Sequence, residues 1–195
     1  MDDPYAARRR DFLKAGTVAA AATAVACGGT TSRYRVLSEP EARTLAAACD
    51  QIVPKDEDPG ASEAGVVGFI DRQLATRAKR DLARWRAGIR GLDASARRRF
   101  GVAFADAAFD DQTALLRDLE RGVAEAADWD AVAPAGFFRL LRDHTMMGFY
   151  GDPRHGGNKG RVSWRMLGVP DPPIRGRLHE TAPPPALAPR PPRKG

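Results

Sequence analysis

The side chains best suited to chemistry lie close together near the C-terminal end of the chain. His144 and Asp143 are adjacent, and Asp152 and His155 follow a short distance on. An imidazole beside a carboxylate can pass protons as a general acid or base, and such groups can also hold a metal ion. One interpretation is therefore an acid/base or metal site. The simpler alternative for a helical histidine near a helix end is a surface or capping role.

Other recognised cofactor signatures do not occur in the sequence. It contains no C-x-x-C-H haem-attachment motif, no H-E-x-x-H zinc motif and no G-x-G-x-x-G after a strand. The remaining histidine, His179, lies in a proline-rich tail. The candidate acid/base residues therefore have no further motif to support them.

Those residues lie in or beside an unusual stretch, GFYGDPRHGGNKGRVSWRMLGVPDP. Its glycines and prolines are interrupted by Tyr150, Trp164 and Leu167, which a disordered linker would not keep. We therefore expect an ordered loop with positive-φ glycines and a tight turn at 156–158. The large side chains either fold back over helix ends or form an aromatic docking surface for a partner, and the two roles are compatible.

The elements that must position this loop are predicted to be helical. Ser38 and Glu41 form a capping box, Leu37 can pack on Ala42 as a staple, and Pro54 ends the first helix. A second helix is expected to start near Ser62. We see no extended strand alternation and no internal repeat. The fold class is therefore all-α, a small helical bundle with one irregular Gly/Pro/aromatic loop near the C-terminus.

Apolar residues at helical spacing mark the remaining helices. Gly88 and Gly91 weaken the third stretch, Phe100 and Phe104 are expected to share a face, and Pro134 suits the first turn of the last long helix. The apolar positions are Val66, Phe69, Ile70 and Leu74; Leu82, Trp85, Ile89 and Leu92; Leu115, Leu116 and Leu119; and Phe137, Phe138, Leu140, Leu141, Met147 and Phe149.

The N-terminus resembles an export signal. Residues 8–10 are three arginines, and RRDFLK is similar to the twin-arginine consensus through Arg9, Arg10, Phe12 and Leu13. The weakly apolar run 15–26 is too short to span a bilayer. An amphipathic first helix is the alternative, but the run has no polar face. Because the twin-arginine route moves folded proteins, we expect the chain to hold a cofactor or to travel with a partner that does.

The end of the signal has two interpretations. Ala24-Val25-Ala26 is an A-x-A pattern that a signal peptidase could cut. The same residues with Cys27 resemble a lipobox, with Ala24 where leucine is usual, and Cys27 would then be lipidated. Under either interpretation, residues 27–36 are predicted to form a flexible tether after the signal. Both interpretations place the protein outside the cytoplasm, and the second anchors it to the membrane.

Cysteine usage and charge bound the rest of the chain. Removing residues 1–26 leaves 169 residues, enough for one domain, predicted at 37–171. Cys49 then has no intrachain partner and is predicted to be a small buried side chain. The formal charge of +6 is concentrated in the tail 172–195, so the domain carries only about +1 and nucleic-acid binding is not indicated. The proline-rich tail is expected to be disordered.

Two separated motifs and the signal together resemble the gluconate 2-dehydrogenase subunit 3 family. The first motif begins at the end of the first helix, and the second is the loop described above. Three positions depart from the second motif: His155 for tyrosine, Ser163 for glycine and Val169 for an aromatic residue. The matching residues are Ile52, Val53, Pro54, Asp56, Pro59, Gly60, Ala61, Ala64, Gly65 and Val66, then Asp152, Pro153, Gly156, Gly157, Asn158, Trp164, Gly168 and Pro170.

The resemblance implies a non-catalytic small subunit of an exported dehydrogenase. It implies a large flavin-dependent subunit of the glucose-methanol-choline type that holds FAD and oxidises a sugar, sugar acid or alcohol. It also implies a third, cytochrome c subunit with haem c in some such complexes, and no cofactor in this chain. A stand-alone periplasmic lipoprotein with a binding or chaperone role is the alternative. The expected partner interface is Tyr150, Asp152, Pro153, Gly156, Gly157, Asn158, Trp164, Gly168 and Pro170.

Overall fold

The computed structural model describes residues 33–129 and 131–169, and every regular element in them is helical. This confirms the predicted all-α class. Short 3-10 turns connect several of the helices. The six α-helices are α1 (Glu39–Ile52), α2 (Val66–Ala75), α3 (Leu82–Phe100), α4 (Phe109–Arg121), α5 (Pro134–Tyr150) and α6 (Val162–Met166).

Several sequence-based predictions lie outside the described residues. These are the export-signal positions Arg9, Arg10, Phe12 and Leu13, the lipidation candidate Cys27, the interface candidate Pro170, and the tail 172–195. Within the described residues, no helix combines the length and apolar character needed to cross a bilayer.

Helix α1 begins and ends as its sequence predicts. Ser38 Oγ accepts the backbone N–H of Glu41 at 3.4 Å, and Glu41 Oε2 accepts the backbone N–H of Ser38 at 2.8 Å. This reciprocal capping box satisfies two donors that the helix itself cannot pair. Leu37 and Ala42 are both buried, as a staple requires. The helix ends at Ile52, two residues before Pro54.

Helices α1 and α5 form the centre of the bundle. Helix α1 contacts α2, α3, α4 and α5. Helix α5 contacts α1, α2, α3, α4 and α6. Leu45 and Cys49 on α1, and Phe137, Leu141 and Phe149 on α5, have 1% or less of their surface exposed. Burial of such apolar side chains is the main favourable contribution to folding. The bundle therefore rests on the packing of two long helices.

The two glycines in α3, which the sequence marked as weak points, do not interrupt the helix. Helix α3 runs without a break from Leu82 to Phe100. A methyl group at Gly88 would overlap the ring of Phe137, and one at Gly91 would lie 2.8 Å from the Trp129 ring. Each glycine therefore makes room for an aromatic ring to pack against the α3 backbone.

Two helix boundaries differ from the predicted ones. Helix α2 starts at Val66 rather than near Ser62, because residues 61–65 form a turn that ends in Gly65 with φ 71°. Phe100 and Phe104 do not share a helix face, since Gly101 ends α3 in the left-handed region. Phe104 lies in a separate 3-10 turn and is fully buried, whereas Phe100 is only partly buried.

One residue of the predicted apolar stripe in α5 is exposed. Phe137, Leu141 and Phe149 face the core, but Met147 has 55% of its surface exposed. Met147 follows Thr145, which is fully buried, so it lies on the opposite side of the helix. The stripe that the sequence suggested therefore combines a core face with part of a surface face.

A buried carboxylate holds the segment that leads into the bundle. Asp71 Oδ2 accepts the backbone N–H of Arg35 at 2.8 Å, and its Oδ1 accepts those of Val36 and Leu37 at 2.9 and 3.1 Å. Only 3% of Asp71 is exposed. Charge-assisted bonds of this kind hold residues 35–37 against α2. The contacts that fix the domain thus begin before residue 37, inside the segment 27–36 that we predicted as a tether.

Candidate functional site

The loop 151–169 closes the C-terminal end of α5. The last turn of an α-helix leaves carbonyl oxygens without an intrahelical partner. Here the loop supplies partners for four successive oxygens. Gly148 O accepts Asn158 N at 2.8 Å, Phe149 O accepts Ser163 Oγ at 2.6 Å, Tyr150 O accepts Trp164 Nε1 at 2.9 Å, and Gly151 O accepts Asn158 Nδ2 at 3.0 Å. The predicted ordered loop is therefore a cap built from side chains and backbone.

Asn158 is the centre of this cap. It is fully buried and has φ 44°, in the left-handed region that asparagine tolerates better than most residues. Besides donating to Gly151 O, its side chain accepts the Ser163 N–H through Oδ1 at 3.1 Å. One amide group thus joins α5 to the start of α6.

Gly157 has to be a glycine because two backbone segments meet there. A Cβ at this position would overlap the carbonyl oxygen of Gly148. Gly148 in turn lies close to α2, where an added Cβ would be 2.9 Å from the Phe69 ring. Three layers of backbone and side chain are therefore stacked without space for a methyl group.

Trp164 folds back as one of the two sequence interpretations expected, whereas Leu167 does not. Trp164 is partly buried and its indole N–H contacts Tyr150 O. Leu167 has 54% of its surface exposed and Tyr150 has 38%. Ser163, which we noted as a departure from the family motif, is fully buried and forms one of the capping bonds. The hydroxyl therefore contributes a contact that glycine would lack.

The structure divides the predicted interface residues into buried, exposed and partly buried groups. Gly157 and Asn158 are buried, so neither can itself contact a partner, and their role is to hold the loop. Gly168 and Tyr150 are exposed. The partly buried members are Asp152, Pro153, Gly156 and Trp164. A docking role stays a prediction for the residues that reach the surface.

Three of the four candidate acid/base residues are held in local contacts. Asp143 pairs with Arg142 at 2.9 Å, and Asp152 pairs with Arg154 at 2.9 Å. His144 Nδ1 lies 3.0 Å from Leu140 O, and its ring packs edge-on against Trp85 at 5.3 Å between centroids. His155 is exposed. Among the described residues, no group of three or more His, Cys, Asp or Glu side chains could hold a metal ion.

An exposed apolar surface adjoins the cap. Met146 and Met147 are adjacent on α5 and Tyr150 lies one turn further on, with 40%, 55% and 38% of their surface exposed. Leu167 follows α6, which packs on α5, and is 54% exposed. We call these four residues the α5–α6 patch. A group of large exposed apolar residues on a small domain is typical of a protein interface.

Sequence reasoning named Tyr150 of this surface but missed its two methionines. It assigned Met147 to the core and did not single out Met146. Adjacent helical residues can both be buried, as Leu115 and Leu116 of α4 are, so no local pattern distinguished the two methionines from core residues. It also missed Asp71, a carboxylate beside Ile70 in the apolar stripe of α2. A charged residue within such a stripe indicates a buried polar contact.

Comparison with known proteins agrees with the motifs in the loop. The family model described as Gluconate 2-dehydrogenase subunit 3 matches residues 39–170, which span α1 to the end of the cap. Searches of curated proteins and of solved structures each returned no match. Since the family match covers more than half of the sequence, the chain belongs to the gluconate 2-dehydrogenase subunit 3 family.

Proposed function

We propose that this chain is the non-catalytic small subunit of an exported, flavin-dependent dehydrogenase that oxidises a sugar, sugar acid or alcohol. Membership of the family supports an accessory subunit of a dehydrogenase complex. In this proposal FAD is held by the large subunit, haem c by a cytochrome subunit where one is present, and no cofactor by this chain.

The proposal includes the route and the place of action. The chain carries the twin-arginine signal through Arg9 and Arg10, and the flavin subunit folds with it and crosses the membrane alongside. Cys27 then anchors the complex at the outer face of the cytoplasmic membrane if it is lipidated. The support for this part is the order of the N-terminal residues: arginines, a short apolar run, then cysteine.

The observation that carries the partner assignment is the α5–α6 patch. Its three largest exposed fractions, 55% at Met147, 54% at Leu167 and 40% at Met146, leave apolar surface in contact with water. Burying that surface against a partner would be favourable, and methionine and aromatic side chains are enriched in such interfaces. The capping loop beneath the patch holds Tyr150 in place through Trp164. The backbone at this residue of the patch is thus fixed by the cap.

The test is affinity capture of the chain from detergent-solubilised native membranes, followed by an absorbance spectrum. We expect a larger chain with flavin bands to co-elute with the wild-type protein. A variant with Met147→Asp and Leu167→Asp should lose that chain, because two desolvated charges would face the apolar interface.

The matched control places the same charges on other exposed apolar residues. Phe109 and Val123 are 58% and 64% exposed, on and just after α4. The variant Phe109→Asp/Val123→Asp should keep the flavoprotein. Capture of a colourless single chain by the wild type would overturn the proposal and favour a stand-alone lipoprotein. Equal capture of the flavoprotein by both variants would show that the patch is not part of the interface.

A further inference from the structure

A second surface feature has no role in the proposed docking: a basic cavity beside the point where the chain enters the bundle. The cavity has a volume of about 430 Å³ and lies between α1, α2 and the loop. Four cationic side chains line it, namely Arg33, Arg35, Arg72 and Lys159. They come from three separate parts of the sequence, so the cluster is produced by the fold and is not a run of charge.

Asp71 is the single acidic residue among the described residues that line this cavity, and its carboxylate already accepts hydrogen bonds from the backbone. Both carboxylate oxygens of Asp71 accept backbone N–H groups of residues 35–37. None of the four cations forms an ion pair with a described residue, whereas Arg98, Arg99 and other arginines elsewhere do. The cavity therefore holds an excess of positive charge.

Two of the cations are held in position by the surrounding structure. Arg72 Nη1 donates to Arg154 O at 3.0 Å, and its guanidinium lies against Gly156, which has φ 103°. The side chain of Lys159 crosses Gly65, with its Cε 2.6 Å from where a Cβ would be. Such preorganisation lowers the entropic cost of binding an anion.

The first turn of α2 adds to the positive character. Val67 and Gly68 line the cavity, and this turn has no acidic residue and no side-chain cap. The N-terminal end of a helix carries a partial positive charge. A guanidinium fork, an ammonium group and helix amides are together the groups that proteins use to bind phosphate.

We propose that this cavity binds a phosphate group, as a phospholipid headgroup or as a free phosphate. The position of the cavity favours the headgroup. Arg33 lies six residues after Cys27, and six residues span at most about 20 Å. If Cys27 is the membrane anchor, a point that rests on the proposed function, the cavity stays close to the membrane surface. Anionic headgroups attract juxtamembrane cations by about 1 kcal/mol each.

The test uses the purified full-length chain with Cys27→Ser, so that no lipid is attached, and needs no partner subunit. Binding is measured to vesicles of phosphatidylcholine alone and of phosphatidylcholine with phosphatidylglycerol. We expect preference for the anionic vesicles, reduced by roughly tenfold or more in Arg72→Gln/Lys159→Gln. The control Arg90→Gln/Arg97→Gln changes the charge equally at exposed positions on α3 and should keep the preference.

A second arm separates the two sources of phosphate. Inorganic phosphate is added at constant ionic strength and the midpoint of thermal unfolding is followed. A rise in the wild type that is absent in Arg72→Gln/Lys159→Gln, without preference for anionic vesicles, assigns the cavity to free phosphate. Vesicle preference without that rise assigns it to headgroups.

Three outcomes would overturn the proposal. One is the absence of both responses in the wild type. Another is an equal loss in the cavity variant and the α3 control, which would mean a general charge effect. The third is a cavity variant that keeps both responses but loses the flavoprotein on capture, which would assign the cations to a protein partner. Because the vesicle assay contains no partner, it can fail while the proposed function stands.

Discussion

At the residue scale, the main lesson is that Asn158 acts as a structural residue. A buried amide with two side-chain hydrogen bonds and a left-handed backbone combines demands that few residues meet. Its partners, Gly151 O and Ser163 N, would be left without bonds if the amide were removed. The presence of Gly157 and Asn158 in this chain is therefore explained by the cap on α5, before any partner is considered.

We expect Asn158→Ala to lower the free energy of unfolding by about 2–4 kcal/mol, because two buried polar groups lose their partners and alanine disfavours positive φ. Urea denaturation, compared at equal m-value, measures this loss. His155→Ala is the matched control, since His155 is exposed in the same loop. A loss at Asn158 no larger than that at His155 would contradict the capping role.

At the element scale, glycines decide how closely helices approach. Gly88 in α3 and Gly136 in α5 are both helical and buried, and alanine is the better helix former by about 1 kcal/mol. Their surroundings differ. A methyl group at Gly88 would overlap Phe137, whereas the nearest atoms to one at Gly136 lie at 3.5 and 3.9 Å, which is ordinary contact.

The two alanine variants should therefore have opposite effects. Gly88→Ala is expected to lower the free energy of unfolding by about 1–3 kcal/mol, because Phe137 must move out of a close-packed site. Gly136→Ala should leave it unchanged or raise it by up to about 1 kcal/mol through helix propensity. Thermal and urea unfolding of the two variants measure both signs. Stabilisation by Gly88→Ala would show that α3 and α5 are not packed as described.

At the scale of the whole molecule, the core is continuous and encloses the thiol of Cys49. This side chain is fully buried between α1 and α5, where Thr145 Oγ1 lies 3.2 Å from Sγ. Burial raises the pKa of Cys49 from 9.0 to about 12, since the thiolate would lose its hydration. The predicted role of a small buried side chain is confirmed.

Cys49 should therefore report on opening of the whole bundle. In a Cys27→Ser chain, reaction with a thiol reagent should be slow in the native state and follow the unfolding equilibrium. The pKa of Cys49 is higher in the folded state than in the unfolded state. The contribution of this thiol to the free energy of unfolding is therefore fully present below about pH 9 and is lost as the pH rises towards about 12. By pH 10 the loss should be about 1.4 kcal/mol relative to Cys49→Ala. Fast native-state labelling would contradict this burial.

The sequence by itself determined the elements and the family. The capping box at Ser38, the stop at Pro54 and the helical spacing of Leu45, Cys49 and Ile52 depend on neighbours within a few residues. Local patterns of this kind predict helices well, because a helix is built from contacts three and four residues apart. The motifs of the loop identified the family in the same way, by order and spacing along the chain.

Only the tertiary structure decided what those residues do. Asn158 reaches the end of α5, Asp71 reaches residues 35–37, and Lys159 and Arg72 line the same cavity. Sequence separation says nothing about such pairs, since which side of a helix or loop meets a neighbour depends on how all the helices pack. Exposure is likewise a property of the assembled bundle. The sequence therefore could not show that Asn158 is buried and Met147 exposed.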